Sequence, residues 1–162
     1  MIEVHPTARV SPMADIEDSV RGTRIVFGEG VVIDSFVKIK PAGGVGDIVV
    51  GAHTTINSGN VLYTGHGIVI GSYCAIAANC TFAPTNHEFK SRDARIRDQG
   101  FRPSKGGIRI GDDVWIGANC VILDGADIGD GCVVGAGSIV RGVLEPYGVY
   151  VGIPLRRVGS RS

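Results

Sequence analysis

From Ile110 onward the chain repeats every six residues. An apolar residue opens each hexad, at Ile110, Ile116, Ile122, Ile128, Val134 and Val140. The fifth hexad residue is mostly small: Val114, Cys120, Ala126, Cys132 and Ser138. The same frame fits upstream if the chain pauses between sets of three: Val4, Val10 and Ile16; Phe27, Ile33 and Ile39; Val50, Ile56 and Leu62; Ile70, Ile76 and Phe82. All eighteen lead positions are apolar in a chain that is 44% hydrophobic, so the frame is not a sampling of the average. Three hexads per set predict a short strand and a turn, three times over, closing one triangular coil. Coils then stack at the strand spacing of roughly 4.8 Å. Lead residues fill the prism, and the small fifth residue lies inward near a corner. Glycines after the lead position (Gly51, Gly71, Gly111, Gly117, Gly129, Gly135) are expected to relieve the bend. No segment sustains a 3.6-residue period. The pattern therefore predicts an all-β parallel β-helix of about six triangular coils.

The pauses are insertions at coil ends, before Phe27, Val50, Ile70 and Ile110. The last is the longest. Residues 83–109 are polar, charged and punctuated by Pro84, Pro103 and Gly106-Gly107. A long loop on a rigid scaffold marks function. The expected organisation is a hexapeptide β-helix over 1–144, interrupted at 83–109, and a tail over 145–162 carrying Arg156, Arg157 and Arg161.

The length of 162 residues fits one domain. Sixteen Lys and Arg balance sixteen Asp and Glu, which speaks against a nucleic-acid binder with its basic stripe. No apolar run is long enough to span a membrane, and no basic-then-apolar signal pattern opens the chain. A soluble, cytoplasmic protein without membrane insertion is expected. The four cysteines, Cys74, Cys80, Cys120 and Cys132, all occupy the fifth hexad position and form no CxxC pair, so they read as small, reduced core residues. The histidines are separated by 48, 13 and 21 residues. No close pair offers a metal site, and no metal is expected.

His5, in the N-terminal cap, and His53, on a turn, read as solvated, and His66 as a turn residue between Gly65 and Gly67. His87 differs. It opens the long loop beside Asn86 and Glu88, with Phe89 as an anchor, and a neutral imidazole suits a general base near neutral pH. Trp115 falls at a corner, as a subunit-contact or ligand-contact residue.

The hexads IGDDVWIGANCVILDGADIGDGCVVGAGSIV, the preceding Asn86-His87-Glu88-Phe89, and the tail Val151-Gly152-Ile153-Pro154 with Arg156 resemble the hexapeptide-repeat acyltransferases. The nearest subgroup is the sugar O-acetyltransferases, galactoside, maltose and surface-polysaccharide enzymes among them, and RDQGFRPSKGGIRIGDDVWIGAN is most similar to the last. The resemblance implies a left-handed coil, although parallel crossovers are generally right-handed. It implies a homotrimer with active sites between subunits and acetyl-CoA as donor. The acceptor would be a sugar or nucleotide sugar of surface polysaccharide or lipopolysaccharide synthesis. His87 matches the catalytic base and Asn57 an acceptor-positioning residue. Asn86 and Glu88 flank the base as acceptor contacts, and Glu88 or a backbone carbonyl would orient the imidazole. Ala118 and Ala136 match positions whose backbone contacts pantetheine, and the Ala118 N–H would face the oxyanion. Arg141 falls at a pantetheine contact often occupied by Thr, and Arg156 near the nucleotide end. The loop lacks the paired histidines of the galactoside enzyme, and the N-terminus lacks the helical acceptor segment of the galactoside and maltose enzymes. N-acetylation of an amino-sugar nucleotide uses the same parts. A non-catalytic β-helix module would need neither His87 nor the loop.

Overall fold

The computed structural model describes residues 1–162 and is a left-handed parallel β-helix. Its first face has seven strands, from Ile2–Val4 to Val143–Leu144. The third has six, from Asp15–Ile16 to Ile139–Val140. The second has eight, from Arg9–Val10 to Gly148–Val151, with Arg156–Ser160 added antiparallel at the end. Lead residues stack in register. On the first face Val4 pairs with Phe27, Phe27 with Val50, Val50 with Ile70, Ile70 with Ile110, and Ile110 with Ile128. The leads from Phe27 to Val140 are buried, and only the first set (Val4, Val10, Ile16), with no coil beneath it, is partly open. The coil also continues past residue 144: Leu144 pairs with Ile128 and Tyr150 with Val134. The repeat runs into the segment expected to be tail because Val140 to Leu144 shortens one corner instead of ending the frame.

The bend is not made where the sequence suggested. The glycines after the lead residues have ordinary φ, whereas the fourth hexad position is left-handed. Phe36, His53, Tyr73, Asn79, Asp113, Asn119 and Tyr147 have φ between 54° and 63°, and Gly30, Gly59, Gly125, Gly131 and Gly137 share the position. The glycines after the leads answer a different demand, the approach of the next coil. A Cβ on Gly117 would stand 2.5 Å from the Ala136 nitrogen, and one on Gly71 2.5 Å from the Gly111 oxygen.

The fifth position is buried, as expected, and its side chains also satisfy the backbone. Corner carbonyls that miss the strand ladder are left without donors inside the prism. Thr54 Oγ1 donates to the Gly71 carbonyl (2.7 Å), Asn60 Nδ2 to Ala77 (2.9 Å), and Ser138 Oγ to Gly135 (2.6 Å). Cys74, Cys80 and Cys120 donate to Gly111, Gly117 and Gly135 at 3.1–3.3 Å. All four cysteines are free thiols and buried. Burial pushes Cys74 and Cys132 above the usual thiol range, and a hydrogen bond with Cys120, with burial, does the same to Cys80. Small, donor-bearing residues fit this position better than small residues alone.

Every insertion falls on one corner, between the third and first faces. Successive loops pack backbone to backbone there. A Cβ on Gly44 would meet the Gly65 oxygen at 2.1 Å, and one on Gly107 the Gly67 oxygen at 2.6 Å. No helix is long and apolar enough to cross a membrane.

Candidate active site

The long excursion starts after the strand Thr81–Ala83 and returns at Ile108–Ile110, so it spans 84–107. Its two arms meet as a short antiparallel ribbon. Glu88 N donates to Gly100 O (3.0 Å), and Arg102 N to Asn86 O (2.8 Å). His87 pairs with Phe101 across it, with ring centroids 4.8 Å apart and planes tilted by 40°. The imidazole is exposed and makes no hydrogen bond within the chain.

Strand residues alternate sides, so Asn86 and Glu88 point away from the ribbon face that carries His87. Glu88 is occupied elsewhere. Its Oε1 accepts from the N–H groups of Phe89 (2.8 Å) and Lys90 (3.0 Å), and Arg102 Nε lies 3.6 Å away. The Lys90 and Phe89 N–H groups, then Arg102, hold its carboxyl below the usual range. Arg102 also covers the Phe89 ring at 4.3 Å. Neither Glu88 nor a backbone carbonyl, the two groups expected to orient the imidazole, bonds to it in this chain, and Phe101 is the contact sequence reasoning missed. An aromatic residue close to where the loop returns was the available signal.

Asn57, Ala118 and Ala136 follow lead residues of the second face and share the corner between the second and third faces. They are on an edge of the prism, not on a flat face. This corner differs from its neighbour in hydrogen bonding. At the first-to-second corner, Asp side chains of the next coil cap the third-position N–H groups: Ser72 N donates to Asp112 Oδ1 (2.7 Å) and Asp112 N to Asp130 Oδ1 (2.8 Å). At the second-to-third corner the equivalent residues are Ala78, Ala118 and Ala136, and their N–H groups have no partner in the chain. Their methyl groups can neither cap nor obstruct. The result is a ladder of free amides at one coil spacing, open to an extended ligand.

His87 stands at a different corner. One face separates it from the amide ladder, about six residues or roughly 20 Å of strand. The single chain does not bring the two together. Arg141 and Arg156 do share a site: with Arg157, Leu144, Tyr150 and Ile153 they line a cleft of about 730 Å³ at the C-terminal end of the prism. Trp115 lies on a strand of the second face and is 54% exposed there, not at a corner. His53 stacks on Tyr73 with centroids 5.1 Å apart, and the His66 N–H donates to the Pro84 carbonyl (3.1 Å).

Residues 107–142 match the family described as Bacterial transferase hexapeptide (six repeats). A "Probable acetyltransferase" of Mycobacterium tuberculosis is 34% identical over 117 residues, 72% of this chain and 38% of that protein. The galactoside O-acetyltransferase of Escherichia coli is 36% identical over 110 residues, 68% of this chain and 52% of the enzyme. The chain thus spans about half or less of these two relatives. Among solved structures, a variant of AntD, an N-acyltransferase from Bacillus cereus in complex with dTDP-4-amino-4,6-dideoxyglucose and coenzyme A, superposes with a TM-score of 0.82 at 25% identity, covering 99% of this chain and 84% of that one. A hexapeptide-repeat acetyltransferase from Vibrio cholerae, complexed with acetyl coenzyme A, gives 0.70 at 29% identity over 83% of this chain and 69% of that one. The hexad frame and the matched stretch place residues 107–142 among the hexapeptide-repeat transferase sequences, and the chain as a whole shares the fold of these solved acyltransferases.

Proposed function

We propose that the chain is an acetyl-CoA-dependent acetyltransferase that acts on a sugar hydroxyl, with His87 as general base, and that it works as a homotrimer. The observation that carries this reading is the separation of the two functional corners. A base and a donor ladder one face apart on the same chain can serve one reaction only if a neighbouring copy supplies the other half. Three copies side by side give three such clefts. The pantetheine arm lies along the amides of Ala78, Ala118 and Ala136, with Arg141 and Arg156 toward the nucleotide end. Asn57, on the donor corner, meets the acceptor. Asn86 and Glu88, across the ribbon from the imidazole, keep only an indirect part.

The unprotonated ring nitrogen of His87 takes the proton of the acceptor hydroxyl as its oxygen attacks the thioester carbonyl carbon. The tetrahedral oxyanion is stabilised by a free backbone N–H, that of Ala118 being the candidate. The C–S bond then breaks, His87 returns its proton to the leaving thiolate, and the products are an acetyl ester and CoA thiol. The cysteines take no part, because all four point into the prism.

A second reading, N-acetylation of an amino-sugar nucleotide, is favoured by the likeness to AntD and by charge. The excursion from 84 to 107 carries six Lys and Arg against three Asp and Glu, a surplus of three positive charges in a chain of zero net charge. Such a loop suits an acceptor bearing phosphate. Turnover measured with hydroxy and amino sugars, free and nucleotide-linked, separates the two. His87→Ala is expected to lower kcat by about 10²–10⁴, the usual contribution of a general base, with CoA binding retained. His66→Ala is the control. Near wild-type turnover in the first variant and loss of activity in the second, both folded, would show that the base is misassigned. No thermal shift with CoA would point to a non-catalytic module.

A further inference from the structure

Asp124 is the one charged side chain among the buried residues, 4% exposed, and no Lys or Arg pairs with it. A carboxylate out of water needs several donors. Here they all come from the returning arm of the loop. Oδ2 accepts from the N–H of Lys105 (2.8 Å), and Oδ1 accepts from the N–H of Gly107 (3.0 Å) and the hydroxyl of Ser104 (3.2 Å). Ser104 Oγ in turn accepts from the Gly106 N–H at 2.9 Å. Gly125 N closes the clamp on the carbonyl of Gly107 (2.7 Å). Two acceptor oxygens with about four lone pairs are what this donor set requires, and an amide side chain would supply only one.

The clamp stands next to the ribbon. Pro103 alone separates Ser104 from Arg102, whose N–H holds Asn86, and Phe101 precedes it against the His87 ring. The imidazole has no hydrogen bond of its own in the chain. Its place is set by Phe101, and the place of Phe101 by the arm that Asp124 holds. We propose that Asp124 is the positioning residue for His87, acting from a coil of the prism through Ser104, Lys105 and Phe101. This rests on the reading of His87 as the base.

The test uses the full chain with Asp124→Asn, and with Ser104→Ala as a milder variant on the exposed side of the clamp. Steady-state kinetics and amide hydrogen exchange are measured on both. With Asp124→Asn, kcat is expected to fall about 10- to 100-fold, the scale of a misplacement near 1 Å. The KM for acetyl-CoA is expected to stay within about twofold, since the donor corner is untouched. Ser104→Ala is expected to give a smaller change of the same kind. Exchange should quicken at 86–88 and 100–107 while strands of the prism keep their protection. Two results would overturn the proposal: unchanged kcat in both variants, or a KM for acetyl-CoA that rises in step with the loss. If wild-type protein transfers no acetyl group but exchange at 86–88 still responds to Asp124→Asn, the clamp stands and the reading of His87 fails.

Discussion

The coil from Ile110 to Leu123 and the excursion that precedes it are held by opposite means. In the coil, Ile110, Ile116 and Ile122 are at most 3% exposed, and each pairs in register with a lead residue above and below. In the excursion no residue from Thr85 to Gly106 is buried, and the only regular element is a 3₁₀ turn at Ile96–Asp98. The excursion is braced by single side chains. Gln99 Nε2 donates to the carbonyls of Ser91 (3.0 Å) and Ala94 (2.9 Å), Arg102 covers Phe89, and Asp124 grips the far end. Repetition stabilises the prism without any one residue deciding the matter, whereas the loop depends on a few specific contacts. Elements of low local stability are where binding and closure are found. The proposed base is on such an element, backed by a coil whose lead residues are buried.

The sharpest test of this contrast substitutes the same residue type in both regions. Ile116→Ala removes a side chain that is 0% exposed and is expected to cost about 2–5 kcal/mol of stability, the range for large-to-small core changes. Ile96→Ala, at 56% exposed, is expected to stay within about 0.5 kcal/mol. Denaturant unfolding of the two variants decides it. Comparable losses would mean that the excursion packs on a second copy more closely than on its own coil.

Gly117→Ala tests the spacing of the coils. The added methyl would stand 2.5 Å from the Ala136 nitrogen, a backbone atom that cannot turn aside. The two coils must part locally, which is expected to cost about 1–3 kcal/mol, as overpacking does. The same separation would shift the amides of Ala118 and Ala136, so affinity for CoA should fall along with the unfolding midpoint. Isothermal titration checks the first and thermal unfolding the second. A lower midpoint with unchanged CoA affinity would take the donor away from this corner.

Much of the prism was legible because burial repeats with a fixed period. Ile110 to Val140 announces itself at every sixth residue, and the cysteines declared their frame by sharing one position. The left-handed fourth position was harder to see, because Phe36, His53 and Tyr73 share it with Gly, Asn and Asp, and the glycines after the leads drew the eye to the wrong place. The place of His87 at the head of the loop was legible. Its contact with Phe101 was not, since thirteen residues without a period separate them. Asp124 looked like Asp112 and Asp130, other turn carboxylates in the third hexad position. Only the return of the loop over the corner makes it a buried acceptor while those two remain exposed caps. Local repetition can be read along the chain, but contacts between an insertion and the coil after it depend on how the loop folds back.

The smallest expected effect concerns Phe36, in the same corner column as Gly59, Asn79, Asn119 and Gly137. Its φ of 63° matches the 61° of Asn79 and 59° of Asn119. A bulky residue there carries a backbone penalty of about 1–2 kcal/mol, which Asn reduces by bonding locally and Gly avoids. Yet the ring is 56% exposed, so within one chain it recovers little by burial. Phe36→Asn should therefore stabilise an isolated chain by about 0.5–1 kcal/mol, visible as a slightly higher unfolding midpoint at low protein concentration. The column is also the edge proposed to face a neighbouring copy. If Phe36→Asn lowers the midpoint at high protein concentration instead, and the loss shrinks as dilution separates the copies, the ring is buried between copies, and its strained backbone is offset by subunit contact. A loss independent of concentration would instead mean that the ring packs within its own chain.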